Sequence, residues 1–205
     1  MNRRLLLVLP FGLAACSVLP EHPYVEVRRF PLLPQRAEPP RPAGGLAGGG
    51  RRVLQVRLMR AAPGQEARGL RSLRPDGTEQ TDYYAEWSAP PAELAEEALR
   101  RWLSAGGLFQ AVVAPGSRAR ADLVLETELT ALQADLGAGE ARAGLSAVLL
   151  REGGESAQVL AQLAVSGRAP LPAERPLRPE ALAAAMTEAF AATLGALERG
   201  IAPYA

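Results

Sequence analysis

One cysteine and one histidine, Cys16 and His22, are the chain's whole supply of thiol and imidazole. With them no thiolate or histidine-based zinc site and no Ser-His-Asp triad can be assembled. Ser17, Ser88 and Ser104 therefore have no imidazole base within the body of the chain. Carboxylates remain. Glu126 and Glu128 share one face of a predicted strand, and Glu86, Glu93, Glu96 and Glu97 crowd one region, yet charges so arranged are expected as solvated faces or helix-end partners. Residues 44–50 are rich in glycine but lack the strand, helix and Lys-Ser/Thr setting of a phosphate loop. Tyr83, Tyr84 and Trp87 precede a predicted helix, where core packing is a better expectation than an aromatic ligand platform. The expectation is a protein with no catalytic residue, no metal and no cofactor, and so not an enzyme.

The chemistry left is that of Cys16 itself. Residues 1–4 are short and basic, residues 5–13 apolar, and Ala14-Ala15 supplies the small side chains that a signal peptidase requires. The apolar run contains Pro10 and stops well short of the ~20 residues needed to span hydrocarbon. Leu13-Ala14-Ala15-Cys16 resembles the lipobox of bacterial lipoproteins, which implies cleavage between Ala15 and Cys16 and acyl chains on the cysteine. Each buried methylene contributes about 0.8 kcal/mol, so one chain binds reversibly and two or more hold stably. The resemblance also implies that Ser17, where retained lipoproteins commonly carry Asp, directs the protein to the periplasmic face of the outer membrane in preference to the inner membrane.

The elements that such an anchor would hold follow from composition and pattern. The 205 residues are 48% hydrophobic and 22% charged, enough for one folded domain with an ordinary core. The net charge of +1 falls to −1 when Arg3 and Arg4 leave with the signal, a poor balance for a nucleic-acid partner. The expected organisation is a signal peptide at 1–15, a lipidated tether at 16–23 and a single domain at 24–205, with a flexible Pro/Gly loop at 35–50. Strands are predicted at 24–33, at 53–60 with Leu54, Val56 and Leu58 inward, and at 108–114. Residues 69–84 read as a hairpin turning at Pro75-Asp76-Gly77. Three long strands over 123–136, 141–151 and 157–169 should form an antiparallel meander, the last with Val159, Ala161, Leu163 and Val165 on one face. Helices are expected at 89–105, with prolines in its first turn, and at 179–199, with Gly200 as its stop. This is an α+β arrangement: a mostly antiparallel sheet with two main helices packed on one face.

In their order these features resemble the ABC-type transport auxiliary lipoproteins, the PqiC-like lipoprotein components of MCE transport systems. Cys16, the strand near Tyr24, the strand over 53–60, Tyr83 to Trp87 leading into Pro90-Pro91 and the helix, Leu108-Phe109 with its valine strand, and Ala121-Asp122-Leu123-Val124-Leu125-Glu126 carry the likeness through nearly the whole mature chain. The resemblance implies a membrane-anchored periplasmic auxiliary subunit that works with an MCE-domain protein, an ABC permease and an ATPase to move lipids or other hydrophobic molecules, and it leaves room for a homo-oligomer. Two other readings stand beside it. An outer-membrane assembly lipoprotein of the lipopolysaccharide-transport type would share a small α+β fold but partner a β-barrel, and a periplasmic hydrolase would need an activated nucleophile.

Overall fold

The alternation over 123–135 builds the strand that organises the molecule. The structure, a computed structural model, describes residues 24–37, 52–153, 156–174 and 176–205; the expected signal, Ala15, Cys16, the tether and most of the 35–50 loop lie outside the described residues. In chain order the described elements are β1 Arg28–Phe30, β2 Val53–Val56, β3 Arg60–Ala61, β4 Gly69–Leu73, β5 Glu79–Trp87, α1 Pro91–Gly106, β6 Ala111–Val113, β7 Leu123–Asp135, β8 Glu140–Arg151, β9 Gln158–Pro170 and α2 Pro179–Ile201, followed by a 3-10 turn at Ala202–Tyr204. One edge of β7 pairs antiparallel with β8 along its length, and β8 pairs antiparallel with β9. The other edge takes β2, β3 and β4 end to end, all parallel. Beyond them lie β6 on β2, and β5 and then β1 on β4. The sheet is mixed and mostly antiparallel by length, as expected; the short parallel joins are what local periodicity did not foresee.

Inward residues of β7 (Leu123, Leu125, Leu129) and β8 (Ala143, Leu145, Ala147, Leu149) join one core with both helices. Pro91 opens α1, where its missing amide costs nothing, and Gly107 closes it at φ 66°. Ala95, Ala98, Leu99, Trp102 and Leu103 form its buried face, as Leu182, Met186, Phe190, Leu194 and Leu197 do in α2. The hairpin turn places Gly77 at φ 84° and Gly139 turns the β7–β8 connection at φ 69°, conformations that cost glycine least.

Five expectations are corrected, three of them by bulges. From β2 to β3 the offset to β7 changes from 69 residues (Leu54 to Leu123) to 68 (Ala61 to Leu129), so one residue is extra. Met59 turns inward, its N–H donating to Glu96 Oε2 at 2.9 Å, and Leu58, expected inside, is 73% exposed. In β9 the register to β8 slips by one residue at Leu160, which turns Val159 to solvent. Between Gly69 and Arg71 of β4 stands one residue, while between their β5 partners Glu86 and Thr81 stand four. This wide bulge pushes out Tyr83 and Tyr84, which were expected in the core, and leaves Trp87 buried. Lastly, Gly200 does not stop α2: it lacks a positive φ, the helix runs on to the fully buried Ile201, and Ala202 N–H closes the turn on Glu198 O. The first strand also shrinks to three residues, ending at Phe30 because Pro31 has no amide to offer.

Gly167 marks the closest approach of α2 to the sheet, since a Cβ there would lie under 3.0 Å from Ala189 O and Thr193 N. Gly167→Val should therefore cost about 1–3 kcal/mol in denaturant unfolding. Gly153→Ala, with nothing near its Cβ, serves as the neutral comparison; equal costs for the two would refute the close contact. At the hairpin, the Thr78 hydroxyl and then its N–H donate to Asp76 Oδ1 and pull that carboxyl below the ordinary aspartate range. Because the folded value is depressed, the turn's contribution is complete above the ordinary range and fades as pH falls through the lowered one. Chemical-shift titration should find the Asp76 midpoint low in the native protein and raised by Thr78→Val.

Candidate functional site

The predicted acids do not converge. Glu126 binds Arg57 and Glu128 faces Arg60 at 3.6 Å, both on the outer face of the sheet. Glu86 takes Arg29 and Arg68, and Glu97 takes Arg100 and Arg101. Glu96, nearly buried, holds the Met59 amide and lies 3.9 Å from Arg100. Each is a structural partner. Among the described residues no three His, Cys, Asp or Glu side chains stand together as a metal cluster. Asp122 sets register: its carboxylate accepts the Val53 N–H at 2.8 Å and its own N–H donates to Val53 O at 2.9 Å, joining β2 to β7.

What the fold does build is a strap along α2. Arg28 pairs with Glu180 near the start of the helix and Arg36 with Glu198 near its end. The eight steps from 28 to 36 cover about 26 Å as extended chain, and the eighteen from 180 to 198 about 27 Å as helix. The strap and the helix therefore run side by side in the same direction, pinned at both ends.

The second pin is the stronger. Arg36 Nη2 donates to both Glu198 oxygens at 2.8 and 3.0 Å, Nη1 donates to Trp102 O at 2.9 Å, and the guanidinium lies 4.6 Å from the centroid of the Trp102 ring. Trp102 Nε1 donates to the same carboxylate at 2.9 Å. The Arg36 and Glu198 side chains keep only 18% and 14% of their exposure, so this charge-assisted pair, with one nitrogen spanning both oxygens and the guanidinium over an indole, is partly dry. Sequence reasoning placed Arg36 in a flexible loop. Its partners are 66 and 162 residues away, and no local pattern carries that information.

Between strap and helix runs an apolar groove of about 460 Å³, with Phe30, Pro31 and Leu33 on one wall and Ala184, Thr187 and Ala191 on the other. Its size is that of a small-molecule or side-chain site. Gln35, Glu180 and Glu188 also line it, and the Thr187 hydroxyl already donates to Ala183 O at 2.7 Å, so the groove is mainly hydrocarbon with polar side chains among its lining.

No protein-family model matches the chain, and no curated protein matches it. Solved structures do. Protein XCC0632 from Xanthomonas campestris, of family DUF330, superposes with a TM-score of 0.64 at 20% identity, over 78% of this chain and 90% of that one. An uncharacterized protein superposes at 0.63 and 14% identity over 86% and 99%. The hypothetical protein CT253 from Chlamydia trachomatis superposes at 0.51 and 10% identity over 76% and 98%. The likeness is one of fold.

Removing Glu198 leaves an arginine and an indole N–H without their acceptor, so Glu198→Ala should lose about 1–3 kcal/mol of unfolding free energy. In a double-mutant cycle with Arg36→Ala the losses should be markedly sub-additive. Strict additivity would mean that the pin contributes nothing as a unit.

Proposed function

We propose that this chain is a membrane-anchored auxiliary lipoprotein of an ABC/MCE-type transport system, a docking subunit with no turnover of its own. The observation that carries the reading is Cys16 behind Leu13-Ala14-Ala15, eight residues ahead of the first described residue of the folded body. Acyl chains at that position keep the first residue of the folded body within about 28 Å of a bilayer, the most that eight residues can span. The strap supports the same reading, because the chain that leads to the anchor is pinned to the principal helix at two points. The α+β fold agrees with the fold that the resemblance implies. In this role the domain would hold an MCE-domain protein, a permease and an ATPase in place while lipids or other hydrophobic molecules pass, with the energy supplied elsewhere. Ser17 supports the outer membrane as its site.

Labelled palmitate should enter the wild-type protein and not the Cys16→Ser form, which should keep its uncleaved signal. Wild-type protein extracted in mild detergent should bring down transport components of that class. Unlabelled protein would end the lipoprotein reading, and recovery of a β-barrel in their place would select the lipopolysaccharide-transport alternative.

A further inference from the structure

Exposed aromatic side chains collect at one end of this sheet. Tyr24 is 89% exposed, Tyr83 86% and Tyr84 53%, with Val25 beside Tyr24 at 47%. Strand β1 runs parallel to β5 with Arg28 opposite Ala85, so residues 24–27 and 81–84 come in from the same end. That end is also the one at which the chain arrives from Cys16.

The protrusion of the two β5 tyrosines is built in. The Asp82 carboxylate accepts the N–H groups of Tyr84 at 2.8 Å and Ala85 at 3.0 Å, which holds the bulge in its outward form. Gly69 lies beneath it, where a Cβ would come under 3.0 Å from Asp82 O and Thr81 Cγ2. A bulge of this kind re-aims side chains. Here it turns both rings to solvent.

We infer that Tyr24, Tyr83 and Tyr84 seat this end of the domain in the headgroup layer of the bilayer that holds Cys16, an inference that rests on the lipid-anchor reading above. Tyrosine suits that layer because its ring is apolar and its hydroxyl is polar, the combination enriched at membrane–water boundaries. The length of chain outside the folded body selects the occupant. Cys16 to Tyr24 is eight steps, at most about 28 Å, so the headgroups are within reach of these rings whenever the anchor is inserted. Of the other exposed apolar side chains, Leu33 lies on the strap beside the groove, Leu58 on the β2–β3 bulge and Val159 on β9. A second copy or a protein partner would need about 800 Å² of contact on this side, more than a few rings present.

The test uses full-length lipidated protein carrying Tyr83→Trp, reconstituted into phosphatidylethanolamine and phosphatidylglycerol vesicles whose acyl chains are brominated near the glycerol. Trp87 and Trp102 are 1% and 8% exposed, so the added indole is the one that reports on the surroundings. The expected result is a blue-shifted added emission that is lost on bromination, with neither change when the Cys16→Ser form is mixed with the same vesicles. Tyr84→Trp is the second reporter should the first variant fold poorly. Protein that floats with the vesicles while its added emission stays water-like and indifferent to bromine would overturn the seating and leave the anchor intact. A blue shift without bromine sensitivity would assign the patch to a protein contact and overturn it equally. Protein that carries no acyl mass and does not float would remove the anchor, and the seating with it.

Discussion

A long central strand has two rows of backbone donors and acceptors, and each must be satisfied inside the protein. In β7 this demand shapes the remainder of the chain. One row is met by β8 in a single stroke, because a tight turn at Gly139 folds the chain straight back. The other is met piecemeal by β2, β3 and β4, which arrive in parallel from far away in sequence. Three short strands sharing one edge cannot all keep a common register. The mismatch appears as the turn-out at Leu58 and the turn-in at Met59, where the buried Glu96 carboxylate of α1 takes the amide that the ladder leaves over. A helix side chain thus completes the hydrogen bonding of a sheet.

The same economy governs α2. By length and composition the segment Pro179–Tyr204 could cross a membrane, yet half of its apolar window is buried within the molecule. Its inner face meets β7, β8 and β9, with contact at Gly167 so close that the Thr193 hydroxyl reaches Ala143 O at 3.1 Å. Its flank carries the strap. An apolar helix of this kind is a core element, and the groove beside it is what remains where small residues, mainly alanine, leave the flank shallow.

Sequence pattern revealed those parts of the fold whose causes are local. The period of α1, its proline start and its glycine end were all legible, as were the i,i+4 pairs Glu96–Arg100 and Glu97–Arg101, at 3.9 and 3.8 Å. In β8 the residues expected inward, Ala143, Leu145, Ala147 and Leu149, are all buried. Reading failed at three places where a strand gained residues relative to its partner, at Leu58, at Val159 and at Tyr83-Tyr84, because alternation assumes a register that only the neighbouring strand can set. The adjacent tyrosines were a visible signal, since two large aromatics in succession cannot share one face of a regular strand. Gly200 failed for a different reason: burial of Ile201 outweighs a glycine's preference to end a helix. The Arg36–Glu198–Trp102 pin had no local trace at all. Of the candidate site, Cys16 and Ala15 were legible in the sequence but lie outside the described residues, whereas the strap and groove emerged only from the fold.

The strap's two pins stand in series along the chain, and this gives the molecule an order of failure under load. A pull on residue 24 meets the three paired residues of β1 and the exposed Arg28–Glu180 contact before it reaches Arg36. Those outer attachments are short and wet and should yield first, while the stacked, drier arginine holds. The strap then behaves as a mechanical fuse, peeling back as far as Arg36 before force reaches the helices and the long ladder of β7, β8 and β9.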